Sequence, residues 1–161
     1  MEEASRLAKD FRILWKNYVL QSLLATISIF IVLLFLSLQH AVVIASIGAT
    51  TFIIFTMPNS IAAKSKNVVG GHLIGFTCGA LSTLIPHTSF LTTITIYSLA
   101  VGLSILIMVI MDLIHPPASG TALGTAMTGF TYEALTAVII STVLLSLIKH
   151  ILKPYLKDLV R

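Results

Sequence analysis

Two long stretches of this chain contain no Asp, Glu, Lys or Arg, one between Lys16 and Lys64 and the other between Lys66 and Asp112. Each stretch is about 46 residues long, and a helix that spans a bilayer needs roughly 20 apolar residues. Each stretch therefore fits two membrane-spanning helices and a short turn. Only 10% of the residues are charged, against about 25% in a typical soluble domain. The chain is therefore predicted to be an integral membrane protein.

The apolar runs predict an all-α, polytopic membrane helix bundle with about six crossings. We divide the chain into a basic N-terminal segment (1–17), a transmembrane domain (18–152) and a basic tail (153–161). No cleavable signal peptide is expected, because the first apolar run is too long for a signal core. The predicted membrane segments cover residues 18–38, 41–57, 67–85, 91–111, 118–130 and 133–151, with turns at Gln39-His40 and at 86–89.

The fifth segment, 118–130, decides the topology because its 13 residues make only about 20 Å of helix. With six crossings and a cytoplasmic N terminus, every basic residue lies on the cytoplasmic side, as the positive-inside rule favours. A re-entrant fifth segment would move four of the ten basic residues outside. We therefore expect a multi-pass protein of the cell membrane, with both termini cytoplasmic and a short, tilted or broken fifth span. The basic residues are Arg6, Lys9, Arg12, Lys16, Lys64, Lys66, Lys149, Lys153, Lys157 and Arg161.

Six crossings divide into two halves of three, which then have opposite orientations in the membrane. Each half has a short second element rich in small residues, ASIGATTF at 45–52 and ASGTALGT at 118–125. Short elements at matching positions are typical of inverted-repeat transporters. The pattern is therefore compatible with a 3+3 inverted repeat.

Gly71, Gly75 and Gly79 recur every four residues on the third predicted helix. Small residues at this spacing let another helix approach the backbone closely. The partner helix belongs either to this chain or to a second copy, so the glycine face is a candidate homo-oligomer contact. The lone Cys78 permits no internal disulfide, and no cluster of ligands predicts a metal or a cofactor. The net charge of +4 follows from membrane topology and predicts no nucleic-acid partner.

The most unusual motif is DLIHPPASG (112–120), between the fourth and fifth predicted helices. Pro116 and Pro117 end one helix and suit the start of the next, where an N–H would have no partner. Ser119, Gly120 and Thr121 then lie in the first helical turn. Free N–H groups and the positive end of the helix dipole there can bind an anion. A well-capped helix break is the structural alternative.

Other ionisable residues are candidates for a supporting role. His115 can donate a hydrogen bond or carry a proton, and Asp112 can orient it or raise its pKa. His72 lies inside a predicted span, where ionisable groups mark pathways or partners, or is a neutral imidazole bonded to a neighbouring helix. Lys64 and Lys66 either set the topology or attract anions. Glu133 is either a proton-coupling group or an exposed acid at a helix start.

Two blocks of sequence resemble a known family. IHPPASGTALG (114–124) resembles the signature of the HPP family of integral membrane proteins, and IGATTFIIFTMPNSIAAKSKNVVGGHLIG (47–75) is similar to its second block. Lys66 stands where family members often have Arg. Lysine keeps the positive charge but lacks the planar guanidinium group that binds oxyanions with two hydrogen bonds. The resemblance covers roughly residues 15–150. It implies a compact multi-helix membrane protein, and plastid members of the family are implicated in nitrite transport.

The motifs and the resemblance together predict a transporter or channel for a small monovalent anion, nitrite-like, with the lipid bilayer and a small inorganic anion as partners. A non-transporting membrane scaffold or sensor module is the alternative. An enzyme is not expected, because the sequence shows no convergent catalytic set. The predicted substrate-binding residues are Asn67, Gly70, Gly71, His72, His115, Pro116, Pro117, Ser119, Gly120 and Thr121.

Overall fold

Six α-helices and two short 3₁₀ turns make up the fold, and the residues described contain no strand. The computed structural model describes the backbone of residues 2–35 and 41–160 and the side chains of residues 13–34 and 45–160. The helices are α1 (Glu2–Phe35), α2 (Ala41–Thr56), α3 (Ser65–Ser82), α4 (Phe90–Ile110), α5 (Pro117–Thr128) and α6 (Tyr132–Leu152). The 3₁₀ turns cover Ile61–Ala63 and Lys153–Tyr155. The predicted all-α bundle is confirmed.

Three segments are long and apolar enough to cross a membrane: Ile13–Leu34, Phe90–Ile110 and Tyr132–Tyr155. The segment Ala45–Thr56 is a shorter apolar helix. The fifth helix is short, as predicted, with 12 residues and a length of about 18 Å. The predicted turn at Gln39-His40 lies outside the described residues.

Local signals account for the helix boundaries. Ser89 and Thr92 form a reciprocal capping box that begins α4. Pro117 occupies the first helical position of α5. Gly129, with φ of 86°, ends α5 in a conformation that residues with a Cβ rarely adopt. Thr131 caps α6 by accepting a hydrogen bond from the amide of Ala134.

Both chain ends are more structured than the sequence indicated. Helix α1 begins at Glu2, so the basic N-terminal segment continues directly into the first span. The basic tail is attached to the bundle, because the amide of Leu159 donates to the carbonyl of Thr56 and Leu156 is buried. Gln21 of α1 also bonds to the tail, donating to the carbonyl of Lys157 and accepting from its amide.

The bundle exposes large apolar side chains and buries polar ones, the reverse of the pattern in soluble proteins. Phe90 and Leu84 are 81% and 77% exposed, whereas Asn67, His72 and His115 are fully buried. A lipid environment explains both observations, because it covers apolar surface and leaves polar groups to find partners inside the protein.

The helix pairs that pack together repeat between the two halves of the chain. Let α1 correspond to α4, α2 to α5 and α3 to α6. The contact between α3 and α5 then corresponds to that between α6 and α2, and the contact between α3 and α4 to that between α6 and α1. The contact between α1 and α2 corresponds to that between α4 and α5. The remaining substantial contacts, α2–α5 and α3–α6, are their own equivalents. Exchanging α1, α2 and α3 for α4, α5 and α6 therefore leaves the set of contacts unchanged, as a 3+3 repeat requires.

Residue contacts also give the relative directions of the central helices. Gly71 faces His115 and Gly79 faces Ala122, so α3 and α5 run in the same direction. Ser46 faces Thr121 and Thr50 faces His115, so α2 runs opposite to α5. These directions match six crossings. In that topology the third and fifth helices start from the same side of the membrane, and the second starts from the opposite side.

The glycine face of α3 contacts α5 of the same chain, which is the internal one of the two alternatives that the sequence left open. A Cβ added at Gly75 would overlap the carbonyl oxygen of Ala118, and one at Gly79 would lie 2.5 Å from that of Ala122. Helix α5 of the same chain thus occupies the surface that a second copy would need. Gly75 and Gly79 serve to bring the two helix backbones together.

Candidate functional site

The two histidines predicted as substrate-binding residues lie side by side inside the described bundle. The ring centroids of His72, on α3, and His115, in the connection between α4 and α5, are 5.0 Å apart. Both side chains are fully buried. His72 and His115 are 43 residues apart in the sequence. The start of α3 and the HPP turn (residues 112–117) therefore form one buried polar cluster, the histidine centre.

Two adjacent glycines make room for the HPP turn against α3. A Cβ at Gly70 would lie 2.9 Å from the side chain of Leu113, and one at Gly71 would lie 2.8 Å from the Cβ of His115. Asn67 attaches the same turn to α3 by donating to the carbonyl of Ile114 at 3.3 Å. These predicted substrate residues therefore hold the His115 segment in place.

Asp112 lies elsewhere than expected. It adopts a left-handed backbone conformation, with φ of 51°, which an aspartate tolerates better than most residues. Its carboxylate pairs with Lys66 at 3.2 Å in an exposed position, and other groups occupy both ring nitrogens of His115. Asp112 thus does not orient His115 in this structure. Lys66 is engaged with this acid and does not stand free to attract anions.

Three hydroxyl groups connect and extend the imidazole pair. Thr50 Oγ1 lies 2.8 Å from His72 Nε2 and 2.9 Å from His115 Nε2, so it bridges the two rings. Thr121 Oγ1 lies 2.7 Å from His72 Nδ1 and 2.8 Å from Ser46 Oγ. The far nitrogen of His115, Nδ1, lies 2.8 Å from the carbonyl of Ala62.

The Ala62 carbonyl, which can only accept, fixes the first donor of this chain of hydrogen bonds. His115 Nδ1 must therefore carry the proton, and the Nε2 of a neutral His115 accepts from the Thr50 hydroxyl. The single proton of Thr50 has two acceptors within reach, His115 Nε2 and the carbonyl of Ser46 at 3.0 Å. When it goes to His115 Nε2, Thr50 accepts in turn from His72 Nε2–H, and His72 Nδ1 accepts from Thr121. In that arrangement all the donors point the same way along the chain.

Burial keeps His115 neutral. Its ring lies in the connection between two helices, and loss of solvent there lowers the pKa of His115 to about 4, while the hydrogen bond to the Ala62 carbonyl opposes this change. The ordinary value is 6.5, so the imidazole is uncharged at neutral pH. This agrees with the donor pattern, which needs an unprotonated Nε2.

The 3₁₀ turn Ile61–Ala63 closes one side of the centre, and a different side chain holds each of its three carbonyls. Asn67 Nδ2 donates to Ile61 at 3.0 Å, and His115 Nδ1 donates to Ala62. Lys149 Nζ, from the last turn of α6, donates to Ala63. The turn is thereby bonded to α3, to the HPP turn and to α6.

The N-cap and first residues of α5, Pro116 to Ser119, offer no free amide donors to an anion. Pro116 and Pro117 have no N–H, the amide of Ala118 donates to the carbonyl of His115, and that of Ser119 donates to Pro116. The Ser119 hydroxyl also donates to Pro116, at 2.7 Å. The anion site predicted at this helix terminus stays a prediction, and the amides of Ala118 and Ser119 are already bonded within the turn.

The remaining predicted residues lie around the centre or far from it. Gly120 lets α5 approach α2, because a Cβ there would lie 3.2 Å from that of Ser46. Glu133 is exposed in the first turn of α6, at the end of the bundle opposite Lys149. Lys64 lines a cavity with Lys149 and Lys153. No group of three or more His, Cys, Asp or Glu side chains suited to a metal occurs among the described residues.

Thr50 and Ser46 are the centre's residues that motif reasoning missed. Both belong to ASIGATTF, the small-residue segment that matches ASGTALGT around Thr121. The similarity between these segments was the available signal, because it placed hydroxyl groups at both short central helices. Only the crossing of α2 and α5 showed that these hydroxyls meet the imidazoles.

The centre lies well inside the bundle but off its midpoint. His72 is seven residues from the start of α3 and Thr50 is six residues from the end of α2, which puts both about 10 Å from the helix ends. The hydrocarbon core is about 30 Å thick. The centre is therefore nearer to the end of the bundle that carries Lys64, Lys66 and Lys149.

These features define a polytopic helical membrane protein with a buried histidine and hydroxyl centre. A family model described as "HPP, transmembrane region" matches residues 11–157. The chain belongs to the HPP family, as the two sequence blocks indicated. It is also similar to a curated transmembrane protein of Dictyostelium discoideum, with 33% identity over 88 residues. The match covers 55% of this chain and 31% of that protein. No solved structure matches the chain.

Proposed function

We propose that this protein carries a small monovalent anion of the nitrite class across the membrane, together with a proton. The observation that carries the proposal is the continuous chain of hydrogen bonds through Thr50, His72, His115 and Thr121, all fully buried. Titratable groups inside membrane helices are costly and mark ion pathways or proton relays.

The chain of hydrogen bonds is suited to pass a proton. An incoming proton delivered to the Thr121 hydroxyl would let Thr121 pass its own proton to His72 Nδ1. His72 Nε2–H would then move to Thr50, and the Thr50 proton would move to His115 Nε2. His115 would then carry a positive charge and hold N–H groups on both nitrogens. An imidazole is suited to this step because either ring nitrogen can take up or release a proton.

The positive charge on an imidazole would provide the attraction for an anion that the neutral centre lacks. An anion bound beside an imidazolium forms a neutral pair with it, which lowers the cost of holding the anion in a low-dielectric region. The 3₁₀ turn Ile61–Ala63 would serve as the gate, because its bonds to Asn67, His115 and Lys149 close the centre. Opening would require that turn to move away from His115.

A non-transporting scaffold or sensor is the second candidate, and one observation favours it. Nearly all the polar atoms of the centre bond to each other, as in a structural core, although Asn67 Oδ1 is buried with no hydrogen-bond partner. A scaffold would use the centre only to hold α2, α3 and α5 together. An enzymatic role forms no part of the proposal, because the exposed acids Asp112 and Glu133 lie apart from the centre.

Anion flux into proteoliposomes tests the proposal. Nitrite, nitrate, formate and chloride would be compared with and without a pH gradient, and protein-free liposomes would correct for passive entry of nitrous acid. We expect nitrite-selective flux driven by the pH gradient, lost in His115→Ala and retained in His87→Ala, where the histidine is exposed and outside the centre. No flux from folded wild-type protein would reject transport and support the scaffold.

A further inference from the structure

A second polar cavity lies apart from the histidine centre, where the end of α6 meets the start of α3. Its volume is about 320 Å³, within the range of about 300 to 1,000 Å³ that is usual for small-molecule sites. Its cationic walls are Lys64, Lys149 and Lys153, with His150 beside them. Ser60 and Ser65 add hydroxyl groups.

The positive charges of the cavity are only partly neutralised. Lys149 and Lys153 lie one turn apart on α6 and the turn that follows it, a spacing at which like charges repel. Asp158 is the one carboxylate in the described region that acts on Lys149, and its oxygens accept from the backbone amide and side chain of Asn59. Three lysines thus face a single acid, and that acid does not line the cavity.

The start of α3 adds hydrogen-bond donors to the same cavity. Lys64 precedes the helix without a side-chain cap, and the described part of the chain offers no acceptor for the amide of Ser65. Such amides, with the helix dipole, favour an anion. Lysine is a frequent phosphate ligand, acting as a point charge. The chemistry of the cavity therefore matches a phosphate group.

We propose that this cavity binds a phosphate group, presented either by the headgroup of an anionic phospholipid or by a soluble phosphate compound. The cavity lies at the ends of membrane helices and on the predicted cytoplasmic side, where basic pockets between helices take anionic headgroups. Phosphate binding at this cavity does not require the proposed transport to be correct. Its occupancy would hold the segment 58–65, which includes the 3₁₀ turn proposed as the gate, against the end of α6.

The test is isothermal titration calorimetry of the full chain in an uncharged detergent. The probes are dihexanoyl phosphatidylglycerol, dihexanoyl phosphatidylcholine and inorganic phosphate. The test variant is Lys64→Gln with Lys153→Gln, since neither lysine side chain donates a hydrogen bond in the described structure and the fold should persist. The matched control is Lys16→Gln with Lys157→Gln, which removes the same charge outside the cavity.

We expect phosphatidylglycerol to bind and phosphatidylcholine not to bind. Loss of two lysines should weaken binding about 30-fold, given the usual contribution of one lysine near an anionic headgroup, whereas the control variant should lose less than about threefold. Displacement of the lipid by inorganic phosphate would assign the cavity to a soluble phosphate compound, and no displacement would assign it to lipid. Equal binding of both lipids, or equal losses in the two variants, would overturn the proposal.

Discussion

The contact between α3 and α5 at Gly75 supports the whole candidate site, so Gly75→Ala is the sharpest test of the structure. The added Cβ would overlap the carbonyl oxygen of Ala118, and backbone oxygen atoms cannot rotate away. Carbon–oxygen contacts need about 3.3 Å, so the helices must separate by roughly an ångström. We expect α5, and with it Thr121, to move away from His72.

The expected loss of stability is the cost of overpacking less the gain in helix propensity. Overpacking costs about 1–3 kcal/mol, and the upper end applies because the obstacle is backbone. Alanine regains about 1 kcal/mol of helix propensity, so the net loss for Gly75→Ala is about 2 kcal/mol. A chain of this size loses about 2–4 °C per kcal/mol, which gives a fall in Tm of about 4–8 °C.

The assay uses Cys78, the single cysteine of the chain, which is buried. A thiol-reactive fluorophore labels it as the protein unfolds in detergent, and the labelling curve gives Tm. The matched control is Gly102→Ala, because a Cβ there meets nothing within 4 Å and should raise Tm slightly. If Gly75→Ala melts at the same temperature as Gly102→Ala, the close approach of α3 and α5 is refuted.

Further predictions concern the polar residues. Thr50→Val removes the hydroxyl that bridges the two imidazoles and should cost about 1–3 kcal/mol, because buried ring nitrogens lose their partner. Thr50→Ser should keep the free energy of unfolding within about 1 kcal/mol of wild type, and equal melting of both variants would contradict the bridge. Asp112→Asn breaks an exposed pair with Lys66 and should change stability by less than about 1 kcal/mol; a larger loss of Tm would show a role beyond that pair. Because the folded pKa of His115, about 4, lies below its ordinary 6.5, its contribution to stability is complete above pH 6.5 and falls as pH drops towards 4. Melting across this range should show that decline in wild type and a weaker one in His115→Gln; parallel curves would count against a buried neutral His115.

The sequence alone was sufficient for the class of protein and the outline of the fold. Charge-free stretches of this length permit little except membrane helices. Prolines and small residues located α5 and its short length. These features are local, so they can be read from the order of residues. The predicted substrate-binding set already joined residues of the HPP turn with residues at the start of α3, because both segments carried family motifs.

The tertiary structure decided which groups are free and which are already bonded. Sequence reasoning treated the start of α5 as a set of open donors, but Ala118 and Ser119 donate within their own turn. It paired Asp112 with His115, whereas the folded chain brings Lys66 to Asp112. Hydrogen-bond partners depend on distances of a few tenths of an ångström between segments far apart in the chain, and residue order alone does not specify them. For the same reason Thr50, between two imidazoles, became visible only when α2 was packed against α3 and α5.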